Sequence, residues 1–549
     1  MNSETKYAKE YHEETKHSEI SIQRSPHYLD WNTKPQPFKI YADPSVLLLP
    51  LPTDFSQPSL SALTSIGTNR PLESKNIEPD VKDIAELLFF SAGITRELKV
   101  GHDTYYMRAA SATGALYPIE LYVICRDLPG LGAGVYHFSP GDFSLAKLRS
   151  GDYRTELADV AGNDSDIARS PLIIAFTSIA WRNSWKYQAR SYRHWFWDSG
   201  VIAANLMATA ISIGFDPRLK MGFVDDAVNL LLRLDDKKEA AIILAPIGMA
   251  SATEPINETK GIDAMSIPKI VPISRANELD YPEIWRLHRA SSLHSKEEVR
   301  SWSDRSSIAL DQTLKDKVSD VTRVQGIKHS ISLTNESSLG ETILLRGSTR
   351  KFSKRPISMT QLSNILHYST RGVPIDFLRG KSKSSDDNNG DNSNSTIDTY
   401  LIANDVEGLQ TGAYFFDRYE ETLQKLERRT SRNLSAYLCL GQSLFGDASV
   451  VFFLMADLNF VLHILGNRGY RASQFEAGVI AGKIYLASYA QKIGASGSTF
   501  FDDAVSEFFS PHAANKSAMI AIGVGVPDYQ ARPGKILAGR LSRSQVLPH

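Results

Sequence analysis

GVYHF at 134–138 returns as GAYFF at 412–416, 278 residues further along the 549-residue chain. The segments before them agree at the same offset: Tyr122 with Tyr400, Ile124 with Ile402, Asp127 with Asp405, Leu131 with Leu409. Tyr192-Arg193 matches Tyr470-Arg471, and Asp198-x-Gly200 matches Glu476-x-Gly478. FVDDAV (223–228) recurs as FFDDAV (500–505), one residue short of that spacing. Matches so numerous at one offset mean a tandem duplication, and any fold assigned to one half must serve the other.

Each half mixes strands and helices. LYVICRD (121–127) and TYLIAND (399–405) are β-branched and aromatic runs, each leading through a glycine loop into the repeated GVYHF or GAYFF strand, so two adjacent strands are predicted. Asp198–Gly214 and Glu476–Gly494 read as long apolar helices closed by glycine. Ser358-x-x-Gln361 has the form of a capping box opening a helix through Leu362 and Leu366, with Ile77–Phe90 as its counterpart. The fold class is α+β. The boundaries read as an arm (1–70), a first domain (71–256), a linker (257–339), a second domain (340–530) and a tail (531–549). The linker carries helix-like runs at 294–304 and 308–320 and no repeat partner. Polar, low-complexity 380–396 reads as a mobile loop.

Composition removes several function classes. Lys+Arg (61) nearly cancels Asp+Glu (62), which argues against a nucleic-acid coat or a polybasic membrane anchor. Cys125 and Cys439 are the two cysteines, too few for a disulfide framework or a cysteine-based zinc site. The histidines lack ligand spacing, so no metal is expected. Residues 1–20 have no apolar core of a secretory signal, and Ser199–Phe215 is too short and polar for a membrane span. A cytoplasmic location is the expectation.

Three segments carry candidate chemistry. RGSTR (346–350) sets Arg346, Ser348 and Arg350 close together just before the capped helix, and forked guanidiniums, a hydroxyl and a helix start can share one phosphate. RAASATGALYPIELYV (108–123) runs small residues and a glycine into a strand, which lets backbone approach a flat ligand or simply makes a tight turn. Asp225-Asp226 and Asp502-Asp503 recur, as do Tyr192-Arg193 and Tyr470-Arg471, which favours structural roles. Trp181, Trp185, Trp195 and Trp197 crowd one region, mostly as core, with one available to stack on a substrate.

YYMRAASATGALYPIELYV, GVYHF, WKYQARSYRHW (185–195), GFVDD and the N-terminal YHEETKHSEISIQRSPHYLDWNTKPQPFKIY (11–41) together resemble the nitroreductase superfamily. Within it they are similar to the SagB-type dehydrogenases, relatives of the FMN-dependent oxidases that turn azolines into azoles in modified peptides. RGSTR resembles the family's phosphate motif and STFFDD (498–503) its segment beside the flavin. The resemblance covers most of 11–256 and 340–530, and it implies FMN held at the interface of two such domains, here an intramolecular pseudo-dimer.

Shifting 346–350 back by 278 reaches TNRPL (68–72), without the serine and second arginine; shifting 108–114 forward reaches DDNNGDN (386–392). One composite site is therefore expected. The resemblance gives the phosphate to Arg346, Ser348 and Arg350, the ring's neighbourhood to Gly497, Ser498 and Thr499, and the opposite wall to Arg108, Ser111, Ala112, Thr113 and Gly114. SagB-like sequences have Pro-Ser-Ala-Gly where this chain has Ser-Ala-Thr-Gly. Lys186 and Tyr187 fall where those oxidases carry a catalytic Lys-Tyr pair; Ile464 and Leu465 take that slot in the second copy. A lysine neutralised by burial or neighbouring cations would act as base, with tyrosine donating or orienting. Neighbours in sequence do not share a helix face, so either the backbone is irregular there or only one of the two residues acts. The expected substrate is a small molecule or modified peptide. NAD(P)H-dependent reduction of nitro compounds or quinones, and a non-catalytic scaffold, are the alternatives.

Overall fold

The structure, a computed structural model, describes residues 2–42, 44–53, 57–66, 78–101, 103–248, 261–274, 277–305, 325–326, 337–378, 394–539 and 541–542. The strands of the first half are β1 (Ser45–Leu48), β2 (Ile94–Val100), β3 (Asp103–Arg108), β4 (Ile119–Cys125), β5 (Gly134–Ser139), β6 (Ser144–Ser150), β7 (Leu172–Ile179) and β8 (Glu239–Ile247). Those of the second are β9 (Gln325–Gly326), β10 (Asp398–Ala403), β11 (Gly412–Asp417), β12 (Thr422–Leu426), β13 (Val450–Ala456), β14 (Gly494–Ser498) and β15 (Ser517–Gly525). They form antiparallel sheets in the orders β1-β6-β5-β4-β7-β8 and β14-β15-β13-β10-β11-β12-β9, and β2-β3 stand apart as a hairpin. The shared order β6-β5-β4-β7-β8 against β12-β11-β10-β13-β15 is the duplication in three dimensions. The expected α+β fold and the two predicted strand pairs hold.

Helix starts follow local chemistry. Ser358 caps Met359–Thr370 by accepting from Gln361 N while Gln361 Oε1 accepts from Ser358 N, the expected box. Its twin Val81–Ala92 is capped the same way by Asp80 and Asp83, a few residues later than 77–90; Ile77 lies outside the described residues. The long helices are longer than expected, Ser191–Ser212 and Arg468–Ala490. Their first turns carry arginine and aromatic side chains that hid them in the sequence. Gly214 adopts φ +93 just past the first helix, but the second ends at Lys492 with φ +60, and Gly494 opens β14 instead.

These two helices cross at Gly200 and Gly478. A Cβ on Gly200 would stand 2.6 Å from the Gly478 carbonyl carbon, and one on Gly478 2.6 Å from the Trp197 carbonyl oxygen. The recurrence of Gly at both positions is thus a packing requirement at the pseudo-twofold axis. A single apolar cluster runs through both halves, from Leu87 and Phe89 to Phe475 and Ile484.

Each half also clamps the other electrostatically. Arg190 and Arg193 hold Asp502 at 2.9 and 2.7 Å, and Arg468 and Arg471 hold Asp225 at 2.7 and 2.6 Å, all buried. Tyr11 of the arm sits between Tyr192 and Tyr470, each edge-on at 5.7 Å. Tyr192-Arg193, Tyr470-Arg471, Asp225 and Asp502 are structural, as expected, and sit at the interface of the halves, whereas Asp226 and Asp503 are exposed.

The linker does have a repeat partner, which is the arm. Arg193 donates to His12 O and Thr15 Oγ1, Arg190 to Thr15 O, and Asp502 Oδ2 accepts from His17 N. Arg471 donates to His288 O and Ser291 Oγ, Arg468 to Ser291 O, and Asp225 Oδ2 accepts from Leu293 N. The helices Lys6–Glu14 and Pro282–Ala290 therefore occupy equivalent places, each seating against the arginines of the domain it precedes. Residues 296–305 are helical, while the expected helix at 308–320 lies outside the described residues.

Of the expected loop, 380–393 lies outside the described residues, but 394–396 are fixed. Thr396 N and Oγ1 donate to Glu476 Oε2 at 2.9 and 2.6 Å, and Asn394 and Thr396 are buried. In the first half Thr113 N and Oγ1 donate to Asp198 at 2.9 and 2.7 Å. Thr396 is the true counterpart of Thr113; inserted residues displaced it from the 278 offset, so the second half keeps a remnant of the small-residue turn.

Candidate functional site

A cavity of about 730 Å³ lies between the halves, within the usual range for a ligand site. The first half lines it with Ser111, Ala112, Thr113, Gly114, Lys186 and Tyr187. The second lines it with Arg346, Ser348, Arg350, Gly497, Ser498 and Thr499. Every expected site residue but Arg108 is brought together. A larger cavity, about 1350 Å³, lies between the first domain and 270–294, but it holds none of these groups and abuts residues 275–276, which are not described. The inter-half cavity is the better candidate because it gathers the phosphate-type and small-residue segments.

Arg108 corrects the expectation. Its side chain is buried away from the cavity, donating from Nη2 to Pro37 O at 2.5 Å and lying over Tyr117 at 4.8 Å. It contributes through its carbonyl instead: Arg346 Nη2 donates to Arg108 O at 2.6 Å and Nε to Ala109 O at 2.7 Å. Arg346 thus ties the phosphate-type segment of one half to the turn of the other. Arg96, which the sequence reading missed, donates from Nη2 to Leu344 O and Leu345 O at 3.0 and 2.8 Å, closing the helix Leu339–Leu345 before that segment.

The turn at 113–117 is tightly wound, with Gly114, Ala115 and Tyr117 at φ +65, +55 and +49. A Cβ on Gly114 would lie 2.6 Å from Tyr187 Oη, so only glycine fits there. Thr113's hydroxyl is spent on Asp198, so this turn offers backbone rather than a hydroxyl to a ligand. Burial pushes Asp198 up to about 7, against the hydrogen bonds from Thr113 and Asn183. On the opposite wall Tyr485 Oη accepts from Gly497 N at 2.7 Å, and Gln442 Nε2 donates to Ser498 Oγ at 2.8 Å, which fix the 496–499 strand.

Lys186 and Tyr187 end the helix Ala180–Tyr187, so the backbone is helical, not irregular, at the pair; the break comes one residue later, at Gln188 with φ +51. Both still reach the cavity because the helix stops at its wall. Lys186 is exposed rather than buried, and its Nζ lies 5.4 Å from the Tyr187 ring centre. Burial and Asp198 raise the Tyr187 hydroxyl, which keeps its proton. His194 packs edge-on to Tyr187 at 4.6 Å, and burial with Arg190 and Arg193 holds it well below the ordinary range, as neutral imidazole. Trp197 lines the cavity too, while Trp181 and Trp185 donate to arm carbonyls and Trp195 is core.

The cavity wall is cationic: Arg96, Arg346, Arg350 and Lys186 against the single carboxylate of Asp198. Arg96 Nε, His194 Nδ1 and Thr499 Oγ1 are buried without a hydrogen-bond partner among the described residues. Buried polar atoms are normally satisfied, so orphans lining one cavity fit a polar, anionic ligand that supplies acceptors.

The place symmetric to this cavity is filled. Trp302 is fully buried there, its Nε1 donating to Leu465 O at 3.0 Å, beside Phe377 at 6.2 Å. Asp376 Oδ2 accepts from Met221 N and Gly222 N, in the positions that match Ser498 and Thr499.

The family model described as the Nitroreductase family matches this sequence twice, over residues 69–249 and 343–525. The chain belongs to the nitroreductase family. A crystal structure of a nitroreductase-family protein from Anabaena variabilis superposes over 95% of this chain and 99% of its own with a TM-score of 0.70, at 24% identity, so the whole duplicated fold recurs. A nitroreductase-family protein of Methanocaldococcus jannaschii is 27% identical over 31% of this chain and 80% of its own length. The microcin B17-processing protein of Escherichia coli is 28% identical over 25% of this chain, and the trifolitoxin-processing protein of Rhizobium leguminosarum 30% over 33%. This chain spans about half the length of those two relatives, 52% and 50%. Among the described residues no helix is long and apolar enough to cross a membrane.

Proposed function

We propose that this nitroreductase-family chain is an FMN-dependent oxidoreductase with one composite flavin site, acting as a SagB-like dehydrogenase on azolines or related C–H donors in peptide-derived substrates. The observation that carries it is the cavity itself, in which Arg346, Ser348 and Arg350 face the 111–114 turn and the Lys186-Tyr187 pair. Arg346 and Arg350 with Ser348 would take the phosphate, since forked guanidiniums match its oxygens. Gly114, whose missing Cβ leaves room at Tyr187, and the 497–499 strand would flank the ring. Bound there, FMN supplies a two-electron acceptor. Tyr187, which holds its proton, would orient the substrate by donating a hydrogen bond, and Lys186 at the mouth, in its free-amine form, would take the proton the substrate releases and pass it to solvent. The similarity to two peptide-toxin-processing proteins supports a peptide substrate.

The test compares oxygen consumption with a thiazoline-containing peptide against NADPH oxidation with nitrofurazone, each for wild type, Lys186→Ala and Tyr187→Phe. Peptide-dependent oxygen uptake that falls by about 100-fold in both variants is expected, the scale of general acid–base contributions. NADPH-driven nitro reduction without peptide oxidation would replace this reading with the reductase one, and a colourless protein inactive in both would leave a scaffold.

A further inference from the structure

The duplication supplies its own control experiment, because one of the two equivalent places is open and the other closed. Residues that hold the halves together are kept in both: Arg190 and Arg468, Arg193 and Arg471, Tyr192 and Tyr470, Asp225 and Asp502, His12 and His288, Gly200 and Gly478. Apart from the carboxylate of Asp198, which Glu476 keeps, three titratable side chains facing the open cavity are not. Lys186 becomes Ile464, Tyr187 becomes Leu465 and His194 becomes Ala472. The backbone break after the pair changes as well: Gln188 at φ +51 faces its twin Gly466 at φ +66. Glycine adopts that conformation freely and glutamine does not, so the open copy alone carries the strain.

The arm obeys the same rule. His17 lines the open cavity, and its counterpart is Leu293. The two are matched by backbone contacts rather than by offset. His17 N donates to Asp502 Oδ2 at 2.8 Å and Leu293 N to Asp225 Oδ2 at 2.9 Å, while Asp502 N and Asp225 N return to His17 O and Leu293 O, each at 3.1 Å. The backbone job is therefore done equally well by leucine, and the imidazole is left with a purpose that concerns the cavity. No side-chain hydrogen bond of His17 to the protein is found among the described residues.

We propose that His17, delivered by the N-terminal arm, contacts the substrate over the flavin as a neutral hydrogen-bonding group, recognising an amide or azoline heteroatom of a peptide. This rests on the flavoenzyme reading above. Burial, then Arg190 and Arg193 from the same clamp, hold the imidazole down to about 3, against a smaller opposing pull from Asp502. It thus binds as an uncharged donor or acceptor and does not compete with Lys186 for the proton.

The test is His17→Leu, which installs the residue the closed copy already tolerates, beside His17→Gln, which restores a neutral hydrogen-bonding group. Binding of a fluorescent thiazoline peptide to the flavin-loaded chain is measured by anisotropy, with flavin absorbance, thermal midpoint and kcat/KM on the same samples. Expected for His17→Leu is peptide affinity and kcat/KM reduced at least tenfold with flavin content and midpoint unchanged, and for His17→Gln values within about threefold of wild type. Unchanged peptide affinity in His17→Leu, or His17→Gln as impaired as His17→Leu, overturns the role of His17 while leaving the flavoenzyme reading standing. A wild-type chain that takes up flavin but binds no peptide overturns the role of His17 and the peptide substrate together, and one that takes up no flavin overturns the flavoenzyme reading.

Discussion

Arg346→Ala is expected to weaken FMN binding by at least about 50-fold, measured by titrating the apoprotein and following flavin fluorescence. Two losses combine. The guanidinium's contact with the phosphate is charge-assisted, worth about 1.5–3 kcal/mol, and leaving the Arg108 and Ala109 carbonyls without their partner costs about 1–3 kcal/mol more. Since about 1.4 kcal/mol is tenfold, the sum, about 2.5 kcal/mol at its lower end, corresponds to roughly 60-fold. Arg350→Ala separates the two contributions. Arg350 is exposed and its side chain makes no hydrogen bond to the protein among the described residues, so its removal touches the phosphate alone. A loss of about tenfold with an unchanged thermal midpoint is expected there. FMN affinity within threefold of wild type in both variants would show that the phosphate lies elsewhere.

Asp502→Ala is expected to destabilise the chain by about 3–5 kcal/mol in chemical denaturation, the usual cost of removing one side of a buried ion pair. Arg190 and Arg193 would remain buried without their carboxylate, and His17 N would lose its acceptor. Asp503→Ala is the control. It removes the neighbouring exposed carboxylate, whose partner is Lys16 at the surface, and a change within about 0.5 kcal/mol is expected. The same clamps set the response to acid. Arg468 and Arg471 outweigh burial to hold Asp225 down to about 2, and Arg190 and Arg193 hold Asp502 lower still. Carboxylates depressed in this way stabilise the fold above their unfolded value of about 4 and cease to as pH falls through the folded one. Buried His12, His194 and His288 are also depressed, so their contribution to stability falls below about pH 6.5, where the unfolded chain takes up protons the folded one refuses, while Asp198, raised to about 7, works the other way. A loss in two stages is therefore expected, and Asp502→Ala removes part of the lower one.

Much of the architecture was legible in the sequence because strands and the Gly200 and Gly478 crossing tolerate little change, so their spacing survived duplication. The arm's kinship with 282–294 was not. What is shared there is a pattern of backbone hydrogen bonds to Asp225 and Asp502, and backbone contacts leave no residue signature. The long helices began earlier than their apolar stretches because buried Arg193 and Arg471 look like surface residues until their partners in the other half are known. At the site, RGSTR offered Arg346, Ser348 and Arg350 as a phosphate pattern that only the family resemblance singled out, and nothing in the sequence told that Arg346 grips the opposite turn. Arg108 misled for the same reason: an arginine beside a small-residue turn reads as a ligand contact, and its guanidinium had already been taken by Pro37 of the arm. His17 and His194 carried no motif, and only their aliphatic counterparts in the closed copy mark them.

The number of flavins per chain tests the composite site most directly. The apoprotein would be titrated with FMN to saturation, excess removed, and flavin absorbance compared with protein concentration by amino-acid analysis, for wild type and Arg346→Ala. One FMN per 549-residue chain, lost in the variant, is the expected result, because Trp302 fills the symmetric place. Two flavins per chain, or one that the variant retains, would contradict it.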